Sequence, residues 1–298
     1  MMILRSFARR FALAPILALV AVLAAGASPV LAEPALWVVK DKDSTIYLFG
    51  TIHVLKPTIQ WRSTKITKAF EAADDLVTEI VEPDDKTTTQ ALMLKYGVDR
   101  ETPLSAKLKP ETYAKLETAA QGMGFPPHGM DAMRPWMASI TVSLVPLFKA
   151  GYDPESGVEK KLTAQAKAAG KPITAFEALE QQLRFFADMT PAQEAQLLES
   201  TLDEVDEGPA KVDALVTAWA AGDQAALKTQ MIDEMQRDYP EVYTLLLTDR
   251  NRDWAGQIKT KLQGSGVSFV AVGAGHLVGP DSVQAQLKTL GIKVKRVE

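Results

Sequence analysis

The spacing of apolar and polar side chains divides the sequence into short β-type runs near both ends and a long helical interior. "ALWVVKDKDSTIYLFGTIH" (35–53) reads as two apolar runs joined by a polar turn at Lys40–Ser44. A helix with Ile66, Ala69 and Phe70 on one face follows, then a compact strand, "DDLVTEIVE" (74–82). From about residue 85 to 150 the period is helical, broken at Pro103, Pro110 and "GMGFPPHGM" (122–130). Gly157–Ala169 predicts a helix stopped by Gly170, and "KPITAF" (171–176) another strand. Helical spacing returns from Glu177 to about Leu262, with breaks at Thr190-Pro191, Gly208-Pro209, Gly222-Asp223 and Pro240. "VSFVAV" (267–272) reads as a strand, Asp281–Leu290 as a helix and "KVKRV" (293–297) as a last strand. Strands alternating with helices at both ends predict an α/β fold. Its central mixed, largely parallel sheet is built from both chain ends and is flanked and capped by helices. One domain over residues 33–298 is expected, with helical insertions at about 85–150 and 177–262.

The first thirty-two residues follow a different logic. Arg5, Arg9 and Arg10 precede "FALAPILALVAVLAAGA", and Val30-Leu31-Ala32 offers small residues ahead of Glu33. This is the layout of a secretory signal peptide. The competing reading is a permanent anchor. Pro15, Gly26 and Pro29 interrupt the apolar run, whereas a spanning helix wants about 20 continuous apolar residues. Cleavage is therefore expected, leaving no membrane anchor and a periplasmic or secreted protein. Arg9-Arg10 only loosely resembles a twin-arginine signal. The 298-residue chain has no cysteine, so neither a disulfide nor thiolate chemistry is open to it. Its formal net charge is −4, and loss of the leader's arginines would make it more negative. No basic stripe offsets that charge, which argues against a nucleic-acid partner. Oligomeric state is not readable from these patterns.

Candidate chemistry lies where two β-runs end alike. Gly50-Thr51-Ile52-His53 and Gly273-Ala274-Gly275-His276 place two of the chain's three histidines just beyond a strand. If those strands are parallel neighbours, both imidazoles emerge at one sheet edge, where ligands of open α/β sheets gather. Glycine at Gly50 and Gly273 allows a sharp exit from the sheet, and at Gly275 a close backbone approach. Glu79 sits within an apolar strand, a costly place for an unpartnered carboxylate. It shares a face with Val81, while Ile80 and Glu82 take the other. Two imidazoles and a carboxylate form a donor set for a divalent metal with an open position. The bland alternative has each histidine capping its strand and Glu79 paired with a lysine or arginine.

The residues "ALWVVKDKDSTIYLFGTIHVLKP", "VTEIVEP", "RPWMASI", "GVEKKLTAQAKAAGKPITAFEALEQQL", "LTDRNRDWAGQI" and "FVAVGAGHLVGPDSV" strongly resemble the TraB/GumN family, which includes the Tiki metalloproteases. The resemblance implies an α/β fold like that of the erythromycin esterase and ChaN group. For the Tiki branch it implies metal-dependent proteolysis of a peptide or protein substrate, with manganese or cobalt as the ion and zinc as a further candidate. Carried onto this chain, it places His53, His276 and Glu79 at the metal, with Glu79 either third ligand or general base. Arg250 and Asn251 match the family's Arg-Asn pair and join the expected catalytic set. A guanidinium there would bind a substrate carboxylate or stabilise an oxyanion. Without the resemblance, Asp249–Arg252 would read as an ordinary helix start. Two rival functions stay open: haem or ligand binding in the manner of ChaN-like relatives, and a non-catalytic accessory role in envelope polysaccharide assembly. The absence of cysteines sets the chain apart from animal Tiki ectodomains, so a Wnt-like substrate is not expected.

Other features carry less. His128, after "GFPP", is expected to be a loop histidine rather than a ligand. Met130, Met133, Trp136 and Met137 have helical spacing and predict core packing, with an apolar lip over the cleft as the alternative. Arg134 is a candidate to face the site. Glu177, at a strand end, is a supporting carboxylate, a further ligand, or an acid favoured by a helix N-terminus. "LDEVDEG" (202–208) reads as a solvated helix end, since it lacks calcium-loop spacing.

Overall fold

The structure, a computed structural model, describes residues 32–81 and 86–298. The expected leader falls outside these residues apart from Ala32, and Glu82 is also outside them. In chain order the elements begin with β1 (Leu36–Lys40), β2 (Ser44–Thr51), α1 (Thr64–Ala72) and β3 (Asp75–Ile80). Helices α2 (Lys86–Gly97), α3 (Leu104–Lys107), α4 (Pro110–Met123), α5 (Pro135–Lys149) and α6 (Val158–Ala168) lead to β4 (Ile173–Glu177). A second helical stretch runs through α7 (Leu179–Ala187), α8 (Pro191–Glu204), α9 (Gly208–Ala220), α10 (Gln224–Lys228), α11 (Glu234–Asp238), α12 (Pro240–Tyr243) and α13 (Asp249–Leu262). The chain closes with β5 (Gly266–Gly273), α14 (Val283–Thr289) and β6 (Val294–Arg296).

The six strands form one sheet in the order β4-β3-β5-β2-β1-β6. The β4–β3, β3–β5 and β5–β2 pairings are parallel, while β1 runs antiparallel to both β2 and β6. The expected mixed, largely parallel sheet from both chain ends is thus observed. Strand β5, from late in the sequence, lies between β2 and β3, from its beginning.

Alternation along the strands feeds two cores. Phe49 of β2, Leu76 of β3 and Phe269 of β5 face one apolar cluster with Trp61, Phe70 and Trp219. Their neighbours Leu48, Val77 and Val270 face the other, with Trp254, Ile258 and Leu287. Burial on both faces explains why these strands read as nearly continuous apolar runs rather than as a polar–apolar alternation. Fully burying a side chain such as Phe49 is worth about 1.5–3 kcal/mol. Helices α3, α4, α5 and α8 share a third cluster around Leu104, Leu116, Val142 and Leu198.

Local signals set the helix ends. The Ile66, Ala69 and Phe70 face of α1 is buried as its spacing requires. Gly124 ends α4 with φ 98°, and Gly170 follows α6 with φ 66°, conformations that favour glycine. Thr190 and Gln193 cap α8 reciprocally, with Pro191 at its first position. The last helix starts at Val283 rather than Asp281, because Ser282 caps it. Met130 and Trp136 are fully buried, which bears out core packing, although Met130 and Met133 precede α5 and do not share its helical register. Among the described residues, no helix is long and apolar enough to cross a membrane.

Candidate functional site

Four adjacent parallel strands end on one edge, and each delivers a polar side chain there. Thr51 of β2 registers with Gly273 of β5, so the chain leaves both strands side by side toward His53 and His276. On the far side of β5, β3 carries Glu79, and β4 ends at Glu177 opposite Ile80. Backbone contact is close here: a Cβ at Gly50 would lie 3.1 Å from Ala274 Cα. The Trp219 indole donates to the Gly50 carbonyl at 2.8 Å, pinning the exit of β2.

Gly273 keeps a small gap open. A Cβ at that position would lie 3.0 Å from Glu79 Oε1, 3.5 Å from His53 Nε2 and 3.7 Å from His276 Cδ2. The three side chains expected to hold a metal therefore surround one point. They have not closed to coordination spacing: His276 Nε2 and Glu79 Oε1, both on buried side chains, are 3.7 Å apart, but the three residues do not bring ligating atoms all within 4.8 Å of one another.

The orientation of each ring is fixed. His276 Nδ1 lies 2.6 Å from Asn251 Oδ1, and Asn251 Nδ2 donates to the Asp281 carbonyl at 2.8 Å. The amide is thereby oriented with its oxygen toward the imidazole, so Nδ1 carries the proton and Nε2 the lone pair. Arg250 Nη1 donates to that Nε2 at 3.1 Å, and Trp254 packs on the ring at 4.3 Å between centroids. Burial, with Arg250 and His53 adding to it against Glu79, pushes His276 down to about 3, so the ring is neutral at ordinary pH. His53 is held by Glu159, whose carboxylate lies 2.6 Å from Nδ1 at the start of α6. The surrounding protein opposes protonation of His53, although its side chain opens to solvent. The Glu159 hydrogen bond and charge, with Glu79, outweigh it and raise the ring to about 9.

Glu79 accepts from the Gly273 amide at 2.6 Å through Oε1, and from Arg250 and Gln182 at 2.9 Å each through Oε2. Burial opposes its ionisation, but His276, Arg250, His53 and the Gly273 N–H hold it down at about 2. Since His276 is neutral above about pH 3, the charges acting on Glu79 at neutral pH are those of Arg250 and His53.

Arg250 has no spare donor. Nε and Nη2 grip the two oxygens of Glu177 at 2.8 and 2.9 Å; Nη2 also reaches Glu79, and Nη1 reaches the Leu246 carbonyl and His276. All five N–H groups of a guanidinium are accounted for. The expected role as a donor to substrate would require one of these bonds to open first. Glu177 also accepts from the Trp254 indole at 2.9 Å, so of its expected roles the structure favours the supporting carboxylate over a further ligand or a helix N-terminal acid.

The remaining candidates sit apart from this cluster. Arg134 pairs with Glu194 and donates to the Ala187 carbonyl at 2.8 Å, bracing α5 against α8. His128 lies on the surface, its Nδ1 2.8 Å from the Tyr113 hydroxyl, which donates to Asp131 at 2.6 Å. With Glu117 these make the one trio of His, Asp or Glu among the described residues whose ligating atoms lie within 4.8 Å of one another. The Tyr113 hydroxyl, shared by His128 and Asp131, accounts for the closeness of those two.

Glu159, Gln182 and Trp254 were not legible as site residues. The one hint for Glu159 was an acid directly after Gly157-Val158 at a helix start.

Fold and site together define an α/β protein whose parallel strand ends assemble a polar cluster of two histidines, two glutamates, an arginine and an asparagine, largely buried except for His53 at its mouth. The chain belongs to the TraB/PrgY/gumN family, whose sequence model matches residues 35–296. It is also similar to an uncharacterized protein of Treponema pallidum (strain Nichols), 22% identical over 265 residues, covering 84% of this chain and 79% of that protein. No solved structure matches it.

Proposed function

We propose that this cluster is the centre of a divalent-cation-dependent hydrolase that cleaves peptide bonds in an exported protein. The observation that carries the reading is the shared setting of the two imidazoles. Each has Nδ1 held by a side-chain oxygen, and each ring borders the gap kept open at Gly273. Metal-bound histidines are ordinarily fixed in this way through the ring nitrogen that does not face the ion. The chemistry of the donor set, two imidazoles and a carboxylate bordering one gap, fits such an ion.

His53 and His276 would hold the ion, and Glu79 would complete the set. A carboxyl held at about 2 is a weak base at neutral pH, which favours the ligand role over proton transfer. When bound, manganese or cobalt, with zinc as a further candidate, would polarise a carbonyl and make a water more acidic. Arg250 holds Glu79 and borrows the lone pair of His276, a bond that ion binding must replace. Asn251 fixes the tautomer that presents Nε2. The preference for a peptide rests on the resemblance to the Tiki branch, and export rests on the pattern of residues 1–32. Charged groups crowding His276 suit a hydrated cation better than an apolar macrocycle, which weighs against haem.

Elemental analysis of purified protein beside His53→Ala and His276→Ala tests the reading. Stoichiometric metal in the wild type and its loss from both variants are expected. Equal metal in all three would sink it.

A further inference from the structure

We propose that Glu159 is a positioning residue that aims His53 into the gap at Gly273, an inference that rests on the cation-binding reading above. The two imidazoles are secured very differently. His276 is walled in by Asn251, Arg250 and Trp254. The His53 side chain is 63% exposed, at the mouth of the cluster, against 6% for His276. An exposed imidazole without a fixed partner samples ring flips that exchange Nδ1 with Cδ2 and Nε2 with Cε1. Only one of the two orientations turns Nε2 toward Glu79.

The start of α6 supplies the missing restraint. A Cβ at Gly157 would lie 2.1 Å from the His53 carbonyl oxygen, so glycine lets the helix start press against the His53 backbone. The next amide, Val158 N–H, donates to the Ile52 carbonyl at 2.9 Å. With the helix docked on both sides of the Ile52–His53 peptide, the place of the following residue relative to the ring is set. That residue is Glu159, in the first helical turn, where the helix dipole favours an acid. Its carboxylate accepts from His53 Nδ1 and leaves Nε2 facing the gap, where a bound ion would displace its proton. The three-residue run Gly157-Val158-Glu159 thus acts as one device: close approach, backbone anchor and ring clamp.

Calorimetric titration of the chelator-treated full-length protein with Mn²⁺ tests this on wild type, Glu159→Ala, Glu159→Gln, His53→Ala and the double variant His53→Ala/Glu159→Ala. Loss of a group that orients a metal-bound histidine typically weakens affinity about 10–100-fold. Glu159→Ala is expected to fall in that range. Glu159→Gln, which keeps an oxygen to accept from Nδ1, recovers most of the loss. The double variant binds no more weakly than His53→Ala, because the acid acts only through the ring. Glu155→Gln, whose residue pairs with Lys160, serves as the unaffected control. Thermal unfolding of each variant confirms that it is folded. Wild-type affinity in Glu159→Ala, a Gln variant as weak as the Ala variant, or additive losses in the double variant would each overturn the positioning role while leaving the cation site standing. A wild type that takes up no Mn²⁺ would overturn the cation reading, and this inference with it.

Discussion

Replacing Gly273 by alanine separates the contribution of the gap from that of the residues around it. The backbone at Gly273 has φ −50° and ψ 138°, which alanine adopts freely, so no backbone strain is introduced. The new methyl would instead stand 3.0 Å from Glu79 Oε1 and 3.5 Å from His53 Nε2. His53, being exposed, can yield. Glu79 cannot easily do so, because the Gly273 amide, Arg250 and Gln182 all hold it. Overpacking of this kind costs about 1–3 kcal/mol, and the stiffer unfolded chain returns about 0.4–1 kcal/mol. The net loss is at most about 2.5 kcal/mol, a fall in melting temperature of no more than about 10 °C. Cation binding should suffer far more, because the methyl occupies the space that the three side chains share. The assay pairs thermal unfolding with Mn²⁺ titration on the same preparation. A folded Gly273→Ala protein with wild-type Mn²⁺ affinity would refute the reasoning, since the ion would then lie elsewhere.

Two further outcomes follow from the charges. Arg250→Met strips two buried carboxylates of their main partner and should destabilise the fold by about 3–5 kcal/mol in urea unfolding, with Arg250→Lys recovering only part. A change below about 1 kcal/mol would show that the clamp is not holding the sheet edge. In chelator-treated protein, His276 stays neutral down to about pH 3 while its unfolded counterpart protonates near 6.5. The unfolded state therefore binds the extra proton across that window. The share of stability linked to His276 should fall as pH drops from about 6.5 to 3, by up to about 1.4 kcal/mol per pH unit, while Glu79, held at about 2, adds a further fall that continues below pH 3. His276→Gln should remove that slope, and an unchanged slope would assign it to other groups.

The sheet and the convergence of His53, Glu79 and His276 were legible because they rest on strand-scale signals. An apolar run ending in Gly-x-x-His states both the strand and its exit, and parallel pairing of β2 with β5 does the rest. Glu79 stood out as a charge in an apolar strand. The support around these residues was not legible, because it depends on how helices dock. Glu159 reaches His53 only through the seating of α6, and Gln182 reaches Glu79 from α7 across more than a hundred positions of sequence. Arg250 could be placed near the site by resemblance, yet the saturation of its donors appears only when Glu177, Glu79, Leu246 and His276 are seen together. Arg134 points to Glu194 instead, since α8 passes closer to it than the strand ends do.

The placement of β5 sets a condition on when the molecule can become competent. This strand lies between β2 and β3, yet it is synthesised long after both of them. Until then β2 and β3 lack the neighbour that joins them, and His53 and Glu79 belong to unconnected fragments. The assembled cluster is therefore withheld from a nascent polypeptide that has not yet reached β5.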